Sequence, residues 1–170
     1  QKQGALGLFG LGANVVATQN DLVMSNSVLD GLVSLTSSLG SILMDDEDSV
    51  IRTTDEGTGQ VDLVAATGIG ENGAAIRLHT GHFNAETPVG DVNLHLQREA
   101  RAERVHALTG SAHLVGDGDG VLGTTDLDLA DVRVARDLEL RAESIRGQVT
   151  QTVQATPLRL WATHLQGGVA

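Results

Sequence analysis

Hydrophobic and polar residues alternate with a period of two along most of the chain. In Gly31–Met44, Val33 and Leu35 fall on one face of an extended chain and Ser34 falls on the other. This alternation is typical of a half-buried β-strand, because successive strand side chains point to opposite faces. Gly40 stands between the two halves of the segment, where it favours a tight corner. The segment therefore predicts a short strand, a corner and a second short strand.

The pattern of an apolar, a polar and an apolar residue returns down the chain. The copies are Val33–Leu35, Val61–Leu63, Ile76–Leu78, Val92–Leu94, Ala112–Leu114, Leu138–Leu140 and Leu158–Leu160. Their last residues are separated by 28, 15, 16, 20, 26 and 20 positions, a loose period near 20. The longer steps hold Asp45–Ile51 in one case, and Leu127–Leu129 with Val132–Val134 in the other. We interpret these segments as insertions or extra strands.

A unit of this length, made of short strands and corners, cannot bury an apolar face alone and does so by stacking on its neighbours. The repeat therefore predicts an all-β fold, a parallel β-solenoid with coils of about 20 residues. An antiparallel β-sandwich is the alternative, since it also has alternating strands and frequent turns. Hairpin-forming Asn-Gly and Asp-Gly pairs are few, which favours the solenoid.

Aliphatic side chains have to form nearly all of the core. Of the 170 residues, 41% are hydrophobic, but aromatics make up only 2% and glycines number 21. This composition suits thin stacked layers better than a core anchored by large rings. The net charge of −11 and the pI near 4.7 argue against nucleic acid and anionic membranes as partners.

The chain lacks cysteine, which excludes disulfides, thiolate metal sites and a cysteine nucleophile. No apolar run approaches the roughly 18 residues of a membrane span. The first residues, Gln1-Lys2-Gln3, are neither an initiator methionine nor a signal peptide. We expect residues 1–170 to be a single segment from inside a much longer repetitive protein.

Two acidic stretches are candidate cation sites. Asp117 and Asp119 lie two residues apart in a glycine-rich loop, where their carboxylates can converge on one Ca²⁺, an ion that takes oxygen ligands. Asp126 and Asp128 follow closely in sequence, and a plain turn is the alternative. Asp45–Asp48 places four carboxylates in a row but lacks the spaced ligands of an EF-hand, and we interpret it as a solvated loop.

Histidines and mixed charges give two further expectations. His79 and His95 follow the triplets of consecutive copies, so stacked coils would place them next to each other on the outside. Such a pair would bind a metal or change charge at mildly acidic pH, or would simply form a polar ladder. The stretch Arg98–Arg104 mixes both signs of charge and is interpreted as a short helix or as an exposed strand with ion pairs between coils.

Three segments resemble the coils of filamentous-haemagglutinin-like proteins, the giant surface adhesins of Gram-negative bacteria. They are Val33–Ile42, Val61–Ile69 and Leu138–Ile145, with the form Val-x-Leu-x-Ala/Ser-x-x-Gly-x-Ile. The resemblance covers roughly Val33 to Gly168 and is lost in 45–60 and 98–108. It implies a right-handed parallel β-helix, an extracellular or cell-surface location, and a role in adhesion, biofilm or surface filaments.

These features together predict a structural and adhesive segment without enzymatic activity or a cofactor. Its expected partners are flanking β-helical coils or copies of itself, and glycans or proteins of host or neighbouring cells. The outward polar residues available to them are Ser34, Asp62, Arg77, Asn93, His113, Glu139 and Arg159. A carbohydrate-active β-helix, as lyase, glycosidase or tailspike-like binding domain, is the alternative, although Trp161, Phe9 and Phe83 are few aromatics for stacking on sugars.

Overall fold

The computed structural model describes residues 4–54, 58–71, 74–118, 121–151 and 158–169. These residues form nineteen β-strands that belong to one large sheet, and no helix occurs among them. The described chain accordingly offers no helix long and apolar enough to cross a membrane. The all-β prediction is confirmed.

The strands are short, mostly three to eight residues long, and follow one another closely along the chain. The first ten are β1 (Phe9–Ala17), β2 (Leu22–Met24), β3 (Ser27–Ser37), β4 (Ser41–Met44), β5 (Ile51–Thr53), β6 (Gln60–Ala65), β7 (Gly68–Ile69), β8 (Ile76–His79), β9 (His82–Thr87) and β10 (Val92–Leu96). The others are β11 (Ala100–Ala107), β12 (Ala112–Gly118), β13 (Val121–Leu122), β14 (Leu127–Leu129), β15 (Val132–Val134), β16 (Leu138–Arg141), β17 (Ser144–Gln151), β18 (Leu158–Trp161) and β19 (His164–Val169).

Parallel pairing joins these strands into three series of neighbouring strands, here called ladders. Ladder 1 contains β2, β4, β7, β8, β10, β12, β16 and β18. Ladder 2 contains the second halves of β1, β3 and β11, with β6, β9, β15 and the end of β17. Ladder 3 contains the first halves of β1 and β3 with β5 and β8, and further along the chain β9, β11, β14, β17 and β19.

Parallel pairing rules out one of the two predicted architectures. Among the described strands, only β12 and β13 pair in antiparallel fashion. An antiparallel β-sandwich is therefore wrong, whereas a large parallel sheet is compatible with a β-solenoid.

The repeated triplets form two stacks rather than one. Val92–Leu94, Ala112–Leu114, Leu138–Leu140 and Leu158–Leu160 are register neighbours in ladder 1, as predicted. Val33–Leu35 and Val61–Leu63 are neighbours in ladder 2. The triplet Ile76–Leu78 instead pairs with residues 94–96, two positions away from the predicted register. The reason is that the corners differ in length, so the spacing of two triplets in the sequence does not fix which of their residues pair.

Columns of apolar side chains run through the stack. One column in ladder 1 contains Leu22, Ile42, Ile69, Val92, Ala112, Leu138 and Leu158, each the register neighbour of the next. All but the last are buried, and Leu158 packs against the same core. Burial of this aliphatic surface is the main favourable contribution to stability, at about 25 cal/mol per Å².

Glycines at one corner allow neighbouring turns to lie in direct contact. Gly90 has a φ of +100°, and a Cβ there would lie 1.8 Å from the carbonyl oxygen of Thr67. A Cβ at Gly110 would lie 1.8 Å from the carbonyl oxygen of Gly90. The corner between ladders 2 and 1 therefore requires residues without a side chain at successive levels.

Candidate functional site

A cleft of about 550 Å³ lies on the outward side of ladder 1, between the loop that follows β4 and the β12–β13 hairpin. We call it the cleft. It is lined by Met44, Asp45, Asp46, Glu47, Glu71, Ala74, Ala75, Arg77, Asn93, His95, His113, Val115, Leu122, Glu139, Arg141 and Arg159. Its volume falls in the range of about 300–1,000 Å³ that is usual for ligand sites.

Parallel register places the outward side chains of ladder 1 in two columns. The first contains Asn93, His113, Glu139 and Arg159. The second contains Arg77, His95, Val115, Arg141 and Trp161. All four residues of the first column are among the polar residues that were predicted to point outward. Asn93 is the exception to their predicted exposure: it is buried and its Nδ2 donates to the carbonyl oxygen of Gly70 at 3.3 Å.

The floor of the cleft includes a histidine held by a buried carboxylate. Asp117 is only 2% exposed, and its Oδ2 lies 3.2 Å from Nδ1 of His95 and 4.0 Å from Nε of Arg77. Its Oδ1 is buried and has no hydrogen-bond partner among the described residues. A carboxylate bonded to one imidazole nitrogen fixes the ring orientation and leaves the other nitrogen for a different partner.

Charge is distributed unevenly along the cleft. Its β4 end carries Asp45, Asp46 and Glu47, all exposed, with Glu71 nearby. Its β18 end carries Arg141 and Arg159, which form no ion pair with any residue that the structure describes. Between them, Glu139 Oε2 lies 3.4 Å from His113 Nδ1. The cleft is therefore acidic at one end and basic at the other.

The structure describes only part of the candidate Ca²⁺ site. Asp119 lies outside the described residues, so its approach to Asp117 stays a prediction. Asp126 accepts a hydrogen bond from Arg146 at 3.1 Å, and Asp128 accepts one from Arg101, so both carboxyl groups already have a cationic partner. Within the described ranges, no group of three or more His, Asp or Glu residues is arranged to hold a metal.

The acidic run is a solvated turn, as interpreted from the sequence. Asp45–Asp48 are all exposed, and Asp46 Oδ1 accepts a hydrogen bond from the backbone N–H of Asp48 at 2.8 Å. The turn also reaches toward the cleft, because Asp48 lies 3.8 Å from Arg77. Its position beside the cleft follows from the register of β4 and could not be read from the run itself.

The predicted stacking of His79 on His95 is wrong. His95 is the register neighbour of Arg77, and His79 is the neighbour of Arg52, because the triplet of β8 is displaced by two residues. Burial lowers the pKa of His79, and the cations of Arg52 and Arg98 lower it further. His79 therefore favours its neutral form.

The stretch that follows Arg98 is a strand with ion pairs between neighbouring strands, the second of the two predicted alternatives. In β11, Arg104 Nη1 lies 3.0 Å from Glu86 of β9, and Arg101 donates to Asp128 of β14. His82 lies 2.9 Å from Glu103, and His106 lies 2.9 Å from Asp131. We call these pairs, which link β9, β11, β14 and the turn before β15, the charge network.

Hydrogen bonds within the charge network shift two carboxyl groups. The bond with His82 lowers the pKa of Glu103, and Arg101 adds to the effect. Burial raises the pKa of Asp131, but hydrogen bonds from His106 and Arg133 outweigh it, so that the pKa is lowered overall. Both carboxyl groups are therefore stabilised as anions.

Comparisons with protein-family models, curated proteins and solved structures gave no match to this chain.

Two features of the site were missed in the sequence. His95 lies within hydrogen-bond distance of Asp117, which follows it by 22 positions. Arg141 is the register neighbour of Trp161, which follows it by 20 positions. Both separations are close to the repeat length. Comparing each outward residue with the residue one repeat later in the sequence would therefore have identified both pairs.

Proposed function

We propose that the chain is a right-handed parallel β-helix with coils of about 20 residues, and that it serves as a structural and adhesive segment of a large bacterial surface protein. Successive strands of the buried ladder 1 column recur after 20, 27, 23, 20, 26 and 20 residues, which supports coils of this size. Parallel crossover connections are right-handed in about 98% of cases, which supports the hand.

The observation that carries the structural role is the apolar, uncovered surface of β1. Phe9 is 74% exposed and Leu11 is 85% exposed, although both lie in a strand that pairs with β3. An apolar strand with a free edge is a template for a further strand. We propose that another layer of the same kind covers β1, either from the same long protein or from a second copy.

Self-association tests this role on the isolated chain. Sedimentation velocity over a range of concentrations should show species larger than the monomer. Leu11→Lys should return the distribution to monomer, because a charge on the uncovered strand opposes stacking of a second layer. The matched control is Leu108→Lys at an exposed corner, which should leave association unchanged. A chain that stays monomeric at every concentration contradicts the proposal.

A surface location needs a separate test. Antibodies raised against the chain should label intact source cells, and permeabilisation should add little signal. Labelling that appears only after permeabilisation would contradict a cell-surface role.

A carbohydrate-active β-helix is the second candidate, and the His95–Asp117 pair in the cleft favours it. A buried carboxylate that orients an imidazole is an arrangement that suits general acid–base chemistry. A screen for cleavage of acidic and neutral glycans tests this candidate. Activity that is lost in His95→Ala and retained in His164→Ala, a histidine outside the cleft, would support it. Absence of activity in the unmodified chain would contradict this second candidate, and the structural role would be the remaining proposal.

A further inference from the structure

The two arginines at the basic end of the cleft lie beside the single tryptophan of the chain. Arg141 of β16 and Trp161 of β18 are direct register neighbours. Arg159 precedes Trp161 by two residues and shares its outward side of the strand. Trp161 is 48% exposed, so a large part of the indole is open to solvent. Three side chains with complementary chemistry therefore lie on adjacent strands at one place.

Both arginines are available to a ligand. Of the described residues, none forms an ion pair with Arg141 or Arg159, and both side chains line the cleft. The acidic register neighbour of Arg159 is Glu139, whose Oε2 is instead within 3.4 Å of His113. This contrasts with Arg101, Arg104, Arg133 and Arg146, each of which has a carboxylate within 3.1 Å.

The chemistry of the three side chains selects the ligand. A guanidinium group offers parallel N–H donors that match a carboxylate in a bidentate arrangement. An exposed indole offers a flat apolar face with a polar edge, which suits a ring that is apolar on one side and hydroxylated around its rim. A sugar ring that carries a carboxylate satisfies both requirements. We propose that Arg141, Arg159 and Trp161 form a binding subsite for a uronic acid residue of a glycan.

The other end of the cleft limits what can bind there. Asp45, Asp46 and Glu47 line it and would repel a second carboxylate. The subsite therefore accepts an acidic sugar at the β16–β18 end, and a long polyanion that follows the whole cleft is disfavoured. This inference names a ligand class for the adhesive segment proposed above and rests on that role.

Titration calorimetry with the full chain tests the subsite. The probe is trigalacturonate, a short oligomer of an acidic sugar, and the matched probe is its fully methyl-esterified form. Measurements near 0.15 M salt, where the Debye length is about 8 Å, reduce repulsion by the net negative charge. We expect binding of the acid form and at least tenfold weaker binding of the ester, because the charge-assisted hydrogen bonds are lost.

Four variants locate the binding. Arg141→Ala and Arg159→Ala should each weaken binding about tenfold or more, and Trp161→Ala should weaken it about fivefold. The control, Arg133→Ala, also removes one exposed arginine but lies in ladder 2, so it should leave affinity within about twofold. Circular dichroism and the melting temperature confirm that each variant is folded.

Three results overturn the proposal: no binding of trigalacturonate by the unmodified chain, equal binding of acid and ester, or an equal loss in Arg133→Ala and Arg141→Ala. Sedimentation and surface labelling do not involve this subsite. Failure of the subsite and failure of the structural role are therefore distinguishable.

Discussion

The charge network and the cleft both display charged side chains on parallel strands, but they use them differently. In the charge network, Arg101, Arg104 and His106 each lie next to a carboxylate of a neighbouring strand or of the turn that precedes one. In the cleft, Arg141 and Arg159 have no such partner among the described residues, and one oxygen of buried Asp117 has none either. Paired charges hold neighbouring strands together, whereas unpaired charges are available to a ligand.

This difference is not explained by the fold, because both surfaces have the same origin. Each consists of outward residues at alternate positions of stacked parallel strands, above aliphatic columns that point inward. What differs is which residues the register brings together. The two surfaces are therefore best compared by variants that act on the core they share, then on the corner between them, and finally on one surface at a time.

The largest effect should come from the shared core. Leu78 is fully buried and pairs with Ile51 on one side and Leu96 on the other. Leu78→Asp places a charge without a partner in the stack and should destabilise the fold by about 4 kcal/mol or more. Thermal unfolding measures this, with Leu108→Asp at an exposed corner as the control. An unchanged melting curve would mean that the two surfaces do not depend on a common core at Leu78.

A smaller effect should come from the corner that joins ladder 2 to ladder 1. Gly110→Ala brings a methyl group into the backbone of Gly90 and should destabilise the fold by about 1–3 kcal/mol, as overpacking usually does. Chemical denaturation measures the change. Gly4→Ala is the control, because no atom lies within 4 Å of a Cβ built there. Equal stability of the two variants would show that the corner can move apart at no cost.

The sequence predicted the architecture better than the site. Alternating triplets identified the strands because burial on one side imposes a period of two, and the repeat near 20 residues indicated parallel stacking. The predicted register of Ile76–Leu78 was wrong, because corners of different length shift the pairing of a strand without changing its alternation of apolar and polar residues. The pairs His95–Asp117 and Arg141–Trp161 depend on register alone, so no local motif marks them.

Acidification should act on the charge network. The folded pKa values of Glu103 and Asp131 are lowered, so their ionised forms stabilise the fold above about pH 4–5, and this contribution is lost as pH falls through the folded values. The melting temperature should therefore decrease between about pH 5 and pH 3. Glu103→Gln should reduce this dependence and cost about 0–1 kcal/mol at neutral pH, since the pair is partly exposed.

The control for this pH dependence is Glu71→Gln, which removes an exposed carboxylate without an ion pair among the described residues. It should leave the slope between pH 5 and pH 3 close to that of the unmodified chain. If both variants flatten the slope equally, the pairs of the charge network contribute no more than an unpaired surface charge.

The two variants with the smallest expected effect on stability compare the charge network with the cleft most directly. Asp128→Asn removes one partner of Arg101 in the charge network and should destabilise the fold by up to about 1 kcal/mol. Asp117→Asn replaces a buried carboxyl group with an amide, whose oxygen can still accept a hydrogen bond from His95. The fold should lose less stability than in Asp128→Asn, because Oδ1 has no hydrogen-bond partner to lose and the side chains of His95 and Arg77 remain partly exposed to solvent. Denaturant unfolding of both variants measures the difference. If Asp117→Asn is the more destabilising of the two, Asp117 is a structural residue, and the cleft holds its charges for the same reason as the charge network.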